Sequence, residues 1–403
     1  MNLKTFNGNR LREALSFRGK KITELADETG IKKQSISAYC NGTNKPPAEN
    51  VWKIANCLKF PFQYFFQADA PTVTTKTTYF RSQAVATKKG KDQQNEKMDA
   101  VARLYDFLVT NYINFPTMDL PEIDIDIEPD SVATDSEEVL LQIEAAADQL
   151  REYWGLGRGP IDNIQYALES HGIIVTGFPV EDDDKIDAFS EKIKLTEGGE
   201  VFVIALGIKR KPVQRLRFDM CHELGHILLH PWEKSEDQLT RDEFNAIEKQ
   251  ANMFAGAFLL PRETFLADIG PYATDLSYYR MLKGKWNVSM QAMVYRAWQI
   301  KAITYNQFQY MMRQFSKLGY RKREPGDKPA DINNTMFKAA LEMLFNEGYL
   351  TPETFMEQLY DANIALGEED LEELMHLDPG TLQTEETKRP LKIITLKPQT
   401  EDD

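Results

Sequence analysis

The chain has 403 residues, 42% of them hydrophobic, enough for two or three domains with sizeable cores. No apolar run approaches the roughly 20 residues that a helix needs to cross a bilayer. A net charge of -14 excludes a protein that coats nucleic acid along its whole length, yet the charge is uneven. Residues 1–65 hold eleven Lys/Arg against five Asp/Glu, a balance of +6, so the remainder carries -20. Three cysteines, Cys40, Cys57 and Cys221, form no spaced framework, and no apolar stretch follows Met1-Asn2-Leu3-Lys4 as a secretion signal requires. The expectation is a reduced, cytoplasmic protein with a basic head on an acidic body.

Residues 8–19 read as a first helix closed by Gly19. Ile22 to Ile31 and Lys32 to Gly42 read as two short helices with a turn at Gly30, the second ended by Asn41-Gly42. Leu25, Ala26, Ile31 and Ile36 supply apolar positions that clamp the pair at a steep angle, as in a helix-turn-helix. Pro46-Pro47 opens a further helix, Ala48 to Leu58, with Val51, Ile54, Ala55 and Leu58 inward. These first 66 or so residues resemble the lambda-repressor-like (XRE, Cro/C1-type) DNA-binding domain. The resemblance implies that the second helix of the pair enters the major groove of an operator by its N-terminal residues. Gln34, Ser35 and Ser37 would then meet base edges or phosphates, and Lys33, Asn41 and Lys45 phosphates. One departure is Ile22, where that family often places a phosphate-binding Gln. The alternative is a helix bundle used only to bind protein.

Phe60-Pro61-Phe62-Gln63-Tyr64-Phe65-Phe66 reads as an aromatic plug closing the head, and residues 69–78 as a linker. Tyr79 to Gln83 is expected to pack on either module. Lys88 to Lys97 reads as polar and solvated, and Asp99 to Tyr112 has helical spacing. Glu122 to Asp130 suits either a strand or an extended acidic arm. Ser136 caps a helix over Glu137–Trp154, and Pro160 to His171 forms another, with His171 at its end in a capping or surface role. Strands follow at Ile173–Phe178, Phe189–Leu195 and Val201–Leu206. Asp182-Asp183-Asp184 between them reads as a solvated turn. In zinc peptidases an edge strand of such a sheet can hold an extended peptide by main-chain hydrogen bonds.

The chemistry concentrates in Phe218 to His230, which contains His222-Glu223-Leu224-Gly225-His226. On a helix, positions four apart share a face, so both imidazoles can reach one small cation. Glu223 projects beside them, placed to hold a water and take its proton. Leu224, Ile227 and Leu228 bury the helix, and buried histidines without a partner would carry an uncompensated desolvation cost. Catalytic zinc takes three protein ligands. The helix Ala246–Leu260, stopped by Pro261, offers the third: Glu248 lies on the same stripe as Ala251 and Ala255, with Asn252 one turn on as its support. The alternative for Glu248 is an exposed helix charge. His230, one turn beyond His226, suits either steadying an oxyanion or bound peptide, or a satisfied buried role. Cys221 reads as a packed small residue.

Arg217-Phe218, the His-Glu-x-x-His stretch, Leu229-His230-Pro231, Glu248-x-x-Ala251-Asn252-x-Phe254-Ala255 and Leu259-Leu260-Pro261 together resemble the ImmA/IrrE metallopeptidase family. Trp154-Gly155-Leu156-Gly157 and Asp187-Ala188-Phe189-Ser190 fit it too, so the likeness spans about 140 to 265. It implies a zincin-like body, His222, His226 and Glu248 as zinc ligands, and Glu223 as general base. It also implies an endopeptidase acting on a repressor-type protein, or an antitoxin-like regulator.

Beyond Pro261 the chain stays helical. Met290–Ile300 carries Met293, Val294, Ala297 and Trp298 at core spacing, and Thr304–Leu318 carries Phe308, Met311 and Phe315. Gly319 to Pro325 is a basic turn, a solvated loop or a phosphate contact; residues 334–376 are helical again, and Pro379 onward is a polar, flexible tail. The expected fold is mainly α with a small β-sheet (α+β). Its parts are a helix-turn-helix head (1–68), a linker and connecting helix (69–135), a metallopeptidase domain (136–265), a C-terminal helical region (266–378) and a tail (379–403). The expected function is a DNA-binding transcriptional regulator with a zinc-dependent endopeptidase domain. Its partners would be operator DNA, a protein substrate of repressor or toxin-related type, no membrane, and a second copy of the chain as a candidate. The alternative is a transcription factor or antitoxin whose metal domain binds or senses without cleaving.

Overall fold

The computed structural model describes residues 5–70, 74–80, 88–123, 136–179, 188–208, 211–230, 239–329 and 335–383. Arg81-Ser82-Gln83, the acid-rich stretch after residue 123, Asp182-Asp183-Asp184, Asp187, Pro231 and the tail from 384 lie outside the described residues.

Four helices build the head: α1 (Gly8–Phe17), α2 (Ile22–Thr29), α3 (Lys33–Cys40) and α4 (Ala48–Leu58). Asn7 caps α1 by accepting the Asn9 N–H at 3.0 Å. α2 stops at Gly30, whose φ of 70° is open to glycine without a Cβ clash, and this reversal starts α3. Leu11, Leu25, Ile36 and Ile54 are fully buried between the helices. The aromatic segment forms a 3-10 turn, Phe62–Phe66, and plugs the head as expected, with Phe60 edge-on to Phe17 at 5.6 Å.

The stretch read as a linker holds a strand, β1 (Thr74–Phe80). Its Thr, Tyr and Phe favour a pleated backbone, and pairing with a distant strand fixes it there. One helix, α5 (Lys88–Asn111), covers both the stretch expected to be solvated and the periodic one after it. Gln94 and Lys97 are buried. The Lys97 ammonium lies over the Phe17 and Phe178 rings at 5.9 and 5.6 Å and reaches Glu373 Oε1 at 2.9 Å, so a polar residue sits inside without an unpaired charge.

α6 (Glu137–Tyr153) starts at Ser136, whose Oγ accepts the Val139 N–H. α7 (Ile164–Ser170) is shorter than expected because Asn163 caps it. Three more strands follow: β2 (Ile173–Pro179), β3 (Ala188–Lys194) and β4 (Glu200–Ile208). The sheet order is β1-β3-β4-β2; β2 runs parallel to β4, and β3 is antiparallel to both β1 and β4. Strands β2, β3 and β4 bury side chains on both faces. Ile174, Phe178, Phe189, Ile193, Val201, Val203 and Ala205 enter one core, shared with the head and α5. Ile173, Val175, Ala188, Phe202, Ile204 and Leu206 enter the other. The near-continuous apolar run of β4 is the signature of a strand with no wet side.

The second core holds α6, α7, α8 (Val213–Leu229), α9 (Arg241–Leu259), α10 (Arg262–Ile269), α11 (Leu276–Trp286), α12 (Met290–Gln299) and α13 (Tyr305–Lys317). Met293, Val294, Ala297, Met311 and Phe315 are core residues there, as their spacing predicts, while Phe308 and Trp298 stack at its margin. In the basic turn Arg321, Lys322 and Arg323 are exposed. Glu324 turns inward, taking Lys283 Nζ at 2.8 Å and the Met290 and Gln291 N–H groups that open α12.

The last helices, α14 (Met336–Asn346), α15 (Pro352–Asp361) and α16 (Glu368–Met375), return to the first core and clamp the head. Arg18 meets Asp370 through two parallel hydrogen bonds of 2.6 Å. Arg10 Nη2 donates to Asn363 O at 2.7 Å, and Gln67 Nε2 to Tyr360 O at 2.7 Å. α16 also reaches the sheet, where His376 Nε2 accepts the Gly177 N–H at 2.9 Å.

Burial pushes the Glu96 carboxyl on α5 up to about 7, with Arg103 opposing and Glu13 and Asp99 adding. The folded protein therefore binds a proton that the unfolded chain has lost between pH 4.5 and about 7. The contribution of Glu96 to stability is greatest below that window and falls as pH rises through it. Glu96→Gln should flatten this dependence and raise stability at pH 8 by on the order of 2 kcal/mol, read as a shift in the urea midpoint against pH 5.

Candidate metal centre and helix-turn-helix surface

α8 is anchored on its apolar side by Leu216, Cys221 and Leu224, all buried in the second core. Cys221 is a packed thiol, pushed up to about 12 by burial. His222, Glu223 and His226 are 0%, 0% and 2% exposed, so the motif helix is submerged. α9 crosses it at Gly225. A Cβ there would stand 3.2 Å from Ala251 Cα and from the Phe254 ring, and only glycine allows this close approach without a shift. The crossing carries Glu248, one turn before Ala251, over the two histidines.

The donors converge. His222 Nε2 and His226 Nε2 are 3.0 Å apart, and Glu248 lies 3.1 Å from His226 Nε2 through Oε1 and 3.6 Å from His222 Nε2 through Oε2. Donors on a tetrahedral zinc ion at about 2.0–2.1 Å stand roughly 3.3 Å from each other, so the spacing suits one such ion. Among the described residues, His222, His226 and Glu248 are the group that brings three ligand atoms together in this way. Burial pushes the Glu248 carboxyl up, but hydrogen bonds with His222 and His226 outweigh it and hold the group far below the ordinary carboxylate range. It is an anion aimed at a point where positive charge belongs.

His230 sits behind His226. Its Nδ1 meets His226 Nδ1 at 3.0 Å, and its Nε2 meets Gln250 Oε1 at 3.0 Å. Burial, with His226 beside it, draws His230 down to about 3, so the ring is neutral. Gln250 Oε1 accepts from His230 Nε2–H, which leaves His230 Nδ1 to accept from His226 Nδ1–H. His226 then presents its Nε2 lone pair to the cluster, as a metal ligand requires. Both ring nitrogens of His230 are thus engaged. This arrangement suits a ring that orients His226 from behind, the buried and satisfied role.

Glu223 is held from the sheet. Ser190 Oγ on β3 donates to Glu223 Oε2 at 2.7 Å in a buried contact. Ser190 and Gln250 are the members of the site that motif reasoning leaves without a role. Ser190 stands in the Asp187–Ser190 segment of the resemblance, but only the packing of β3 on α8 shows what it touches. Asn252 does not reach the Glu248 carboxylate; its Nδ2 donates to the Glu248 main-chain oxygen at 2.8 Å, one turn back along the helix.

On the head, Lys33, Gln34, Ser35 and Ser37 all lie on α3. Lys33 and Gln34 are exposed, Ser35 and Ser37 half-buried. Asn41 is exposed at the end of that helix and accepts from Arg12 Nη2 at 2.8 Å, and Lys45 is exposed between α3 and α4. A shallow groove along this face is lined by Arg12, Lys20, Lys21, Thr23, Lys33 and Ser37. Ile22 packs against the core, so Lys21 and Thr23 are the neighbours that present polar groups at the start of α2.

Comparison with known proteins agrees with this geometry. A family model described as a helix-turn-helix domain matches residues 8–70, and one described as an IrrE N-terminal-like domain, a peptidase family, matches residues 171–297. The chain fuses an XRE-type helix-turn-helix domain to an ImmA/IrrE-like domain. No curated protein shows significant similarity to it. The chain is thus a regulator carrying a metallopeptidase-like domain, and the ImmA/IrrE-like match includes α8 and α9 with their His/His/Glu group. No helix among the described residues is long and apolar enough to cross a membrane.

His230→Ala should leave the far-UV circular dichroism unchanged and weaken zinc binding by about 10–100-fold in a competition titration against a chromophoric chelator. Unchanged affinity would show that His226 needs no partner to present its lone pair.

Proposed function

We propose that the protein is a DNA-binding transcriptional regulator whose ImmA/IrrE-like domain is a zinc-dependent endopeptidase acting on a repressor-type regulatory protein in the cytoplasm. The observation that carries this reading is the buried convergence of His222, His226 and Glu248 beside the Glu223 carboxylate. We assign the metal site to the domain over 136–265 and DNA contact to the head over 1–68. The repressor-type substrate follows from the resemblance to the ImmA/IrrE family.

His222, His226 and Glu248 would hold the ion. When bound, zinc supplies Lewis-acid polarisation of a peptide carbonyl and makes water acidic enough to react near neutral pH. Glu223 takes the proton of the attacking water and returns it to the leaving amine. Ser190 fixes the Glu223 rotamer by its 2.7 Å hydrogen bond, and the closed packing around the motif keeps bulk water from the carboxylate. In the head, α3 would enter the major groove of operator DNA. Gln34 reads a base edge, Ser35 and Ser37 assist, and Lys33, Asn41 and Lys45 meet phosphates.

Glu223→Gln should keep zinc content and DNA binding but lose about 100-fold or more in the rate at which the partner protein is cut, followed by gel and mass spectrometry. Processing at the unaltered rate by that variant would sink the peptidase assignment. In the head, Gln34→Ala should cost about 1–3 kcal/mol on the preferred operator and relax selectivity there. Lys45→Ala should weaken binding to all sequences alike and reduce the salt slope by about 1. Both are read from fluorescence anisotropy over a salt series.

A further inference from the structure

β3 has two edges. One is hydrogen-bonded to β4 and the other to β1, with Thr78 opposite Glu191, Tyr79 opposite Ser190 and Phe80 opposite Phe189. Ser190 is also the residue that holds Glu223. The backbone of β1 therefore runs alongside the strand whose Ser190 bonds the general base, and the residue facing Ser190 across the ladder is Tyr79. A peptide laid along this strand next to the catalytic carboxylate would take its hydrogen bonds from the outer edge of β3, since the inner edge belongs to β4. That place is filled by the chain itself.

β1 is not part of either matched domain. It begins after residue 70, where the helix-turn-helix match ends, and well before residue 171. It joins β3 antiparallel and with a register shift between Thr74 and Thr78, so its three-residue contact opposite 189–191 is regular while its start is not. Its composition, Thr-Thr-Lys-Thr-Thr-Tyr-Phe, is β-prone. Its attachment to the head is short: Asp69, held by Asn7 Nδ2 at 2.8 Å and Asn9 Nδ2 at 3.1 Å, stands five residues before Thr74. A segment tethered this closely acts at an effective concentration on the order of millimolar, which a free peptide must exceed to replace it.

We propose that the outer edge of β3 is the docking edge for an extended peptide and that Thr74–Phe80 is its resident occupant, bound in cis. The proposal deepens the peptidase reading and rests on it for the use to which the edge is put. The occupant satisfies the main-chain groups of β3 whatever its side chains, as strand addition does. A protein substrate must displace it, and because the tether ends on the helix-turn-helix head, movement of the head pulls directly on the occupant.

The test uses the full chain carrying Glu223→Gln, so that binding is read without turnover. The probe is a fluorescein-labelled peptide of residues 72–82. In one variant residues 74–80 are replaced by a Gly/Ser segment of equal length; in a second, Thr78→Pro and Tyr79→Pro are combined, so that whichever of the two N–H groups points at β3 is removed. Anisotropy should show the probe binding the replaced chain at least 10-fold more tightly than the unreplaced one. Hydrogen exchange in the proline variant should rise at least 10-fold over residues 188–194 and stay unchanged in β2. Equal probe binding by both chains, or unaltered exchange in β3 of the proline variant, would overturn the proposal. Neither readout depends on cleavage. A protein that cuts nothing yet binds the probe only when 74–80 is replaced would refute the peptidase reading and leave the docking edge standing.

Discussion

Everything in this molecule leans on three strands, β2, β3 and β4, that bury side chains on both faces. Successive side chains of β2 and β4 point alternately into two cores, one shared with the helix-turn-helix head and the other with the helices that carry the His/His/Glu group. A strand of this kind tolerates no one-residue slip, because a slip would exchange every side chain between the cores. The sheet is thus a common wall. It places the head on one side and the His/His/Glu cluster on the other, and its inner strand β3 delivers Ser190 to Glu223.

The cluster itself follows from a balance of desolvation. Two imidazoles and two carboxylates are drawn into a site that is nearly dry, which costs several kcal/mol per uncompensated charge. Glu248 and the histidines offset part of this for each other. Gln250 and His230 settle the remainder by setting the tautomer of His226, so that three donors point at one place. Gly225 sets how closely α9 approaches, since a Cβ there would stand 3.2 Å from Ala251 and Phe254 and press α9, and Glu248 with it, a few tenths of an ångström from the motif helix.

The head is tied down by charge as well as by packing. Its basic surplus meets the acidic last helix at Arg18–Asp370 and Lys59–Glu369, on faces turned away from the groove that α3 lines, and Lys97 of α5 adds a third pair with Glu373. Basic residues of the head therefore divide into two groups. Arg10 and Arg18 are spent on the chain's own C-terminal helices, and Lys33 and Lys45 remain at the surface. A net charge counted from sequence does not separate the two.

What the sequence by itself determined was local. Helix-turn-helix spacing, the four-residue interval between His222 and His226, the stripe that carries Glu248, and the apolar run of β4 are all periodic facts, and periodicity is set by the backbone alone. Contacts between residues far apart in the chain were decided only by the tertiary structure. Ser190 and Glu223 are separated by a helix start and a strand, Arg18 and Asp370 by most of the chain, and no local pattern records either meeting. The linker that turned out to hold β1 shows why. Seven residues of Thr, Lys, Tyr and Phe have no alternation to mark a buried face, and they become a strand because β3 offers an edge to pair with. His230 shows the same limit at the site: its spacing puts it near His226, but only the position of Gln250 on the neighbouring helix decides that its ring looks backward.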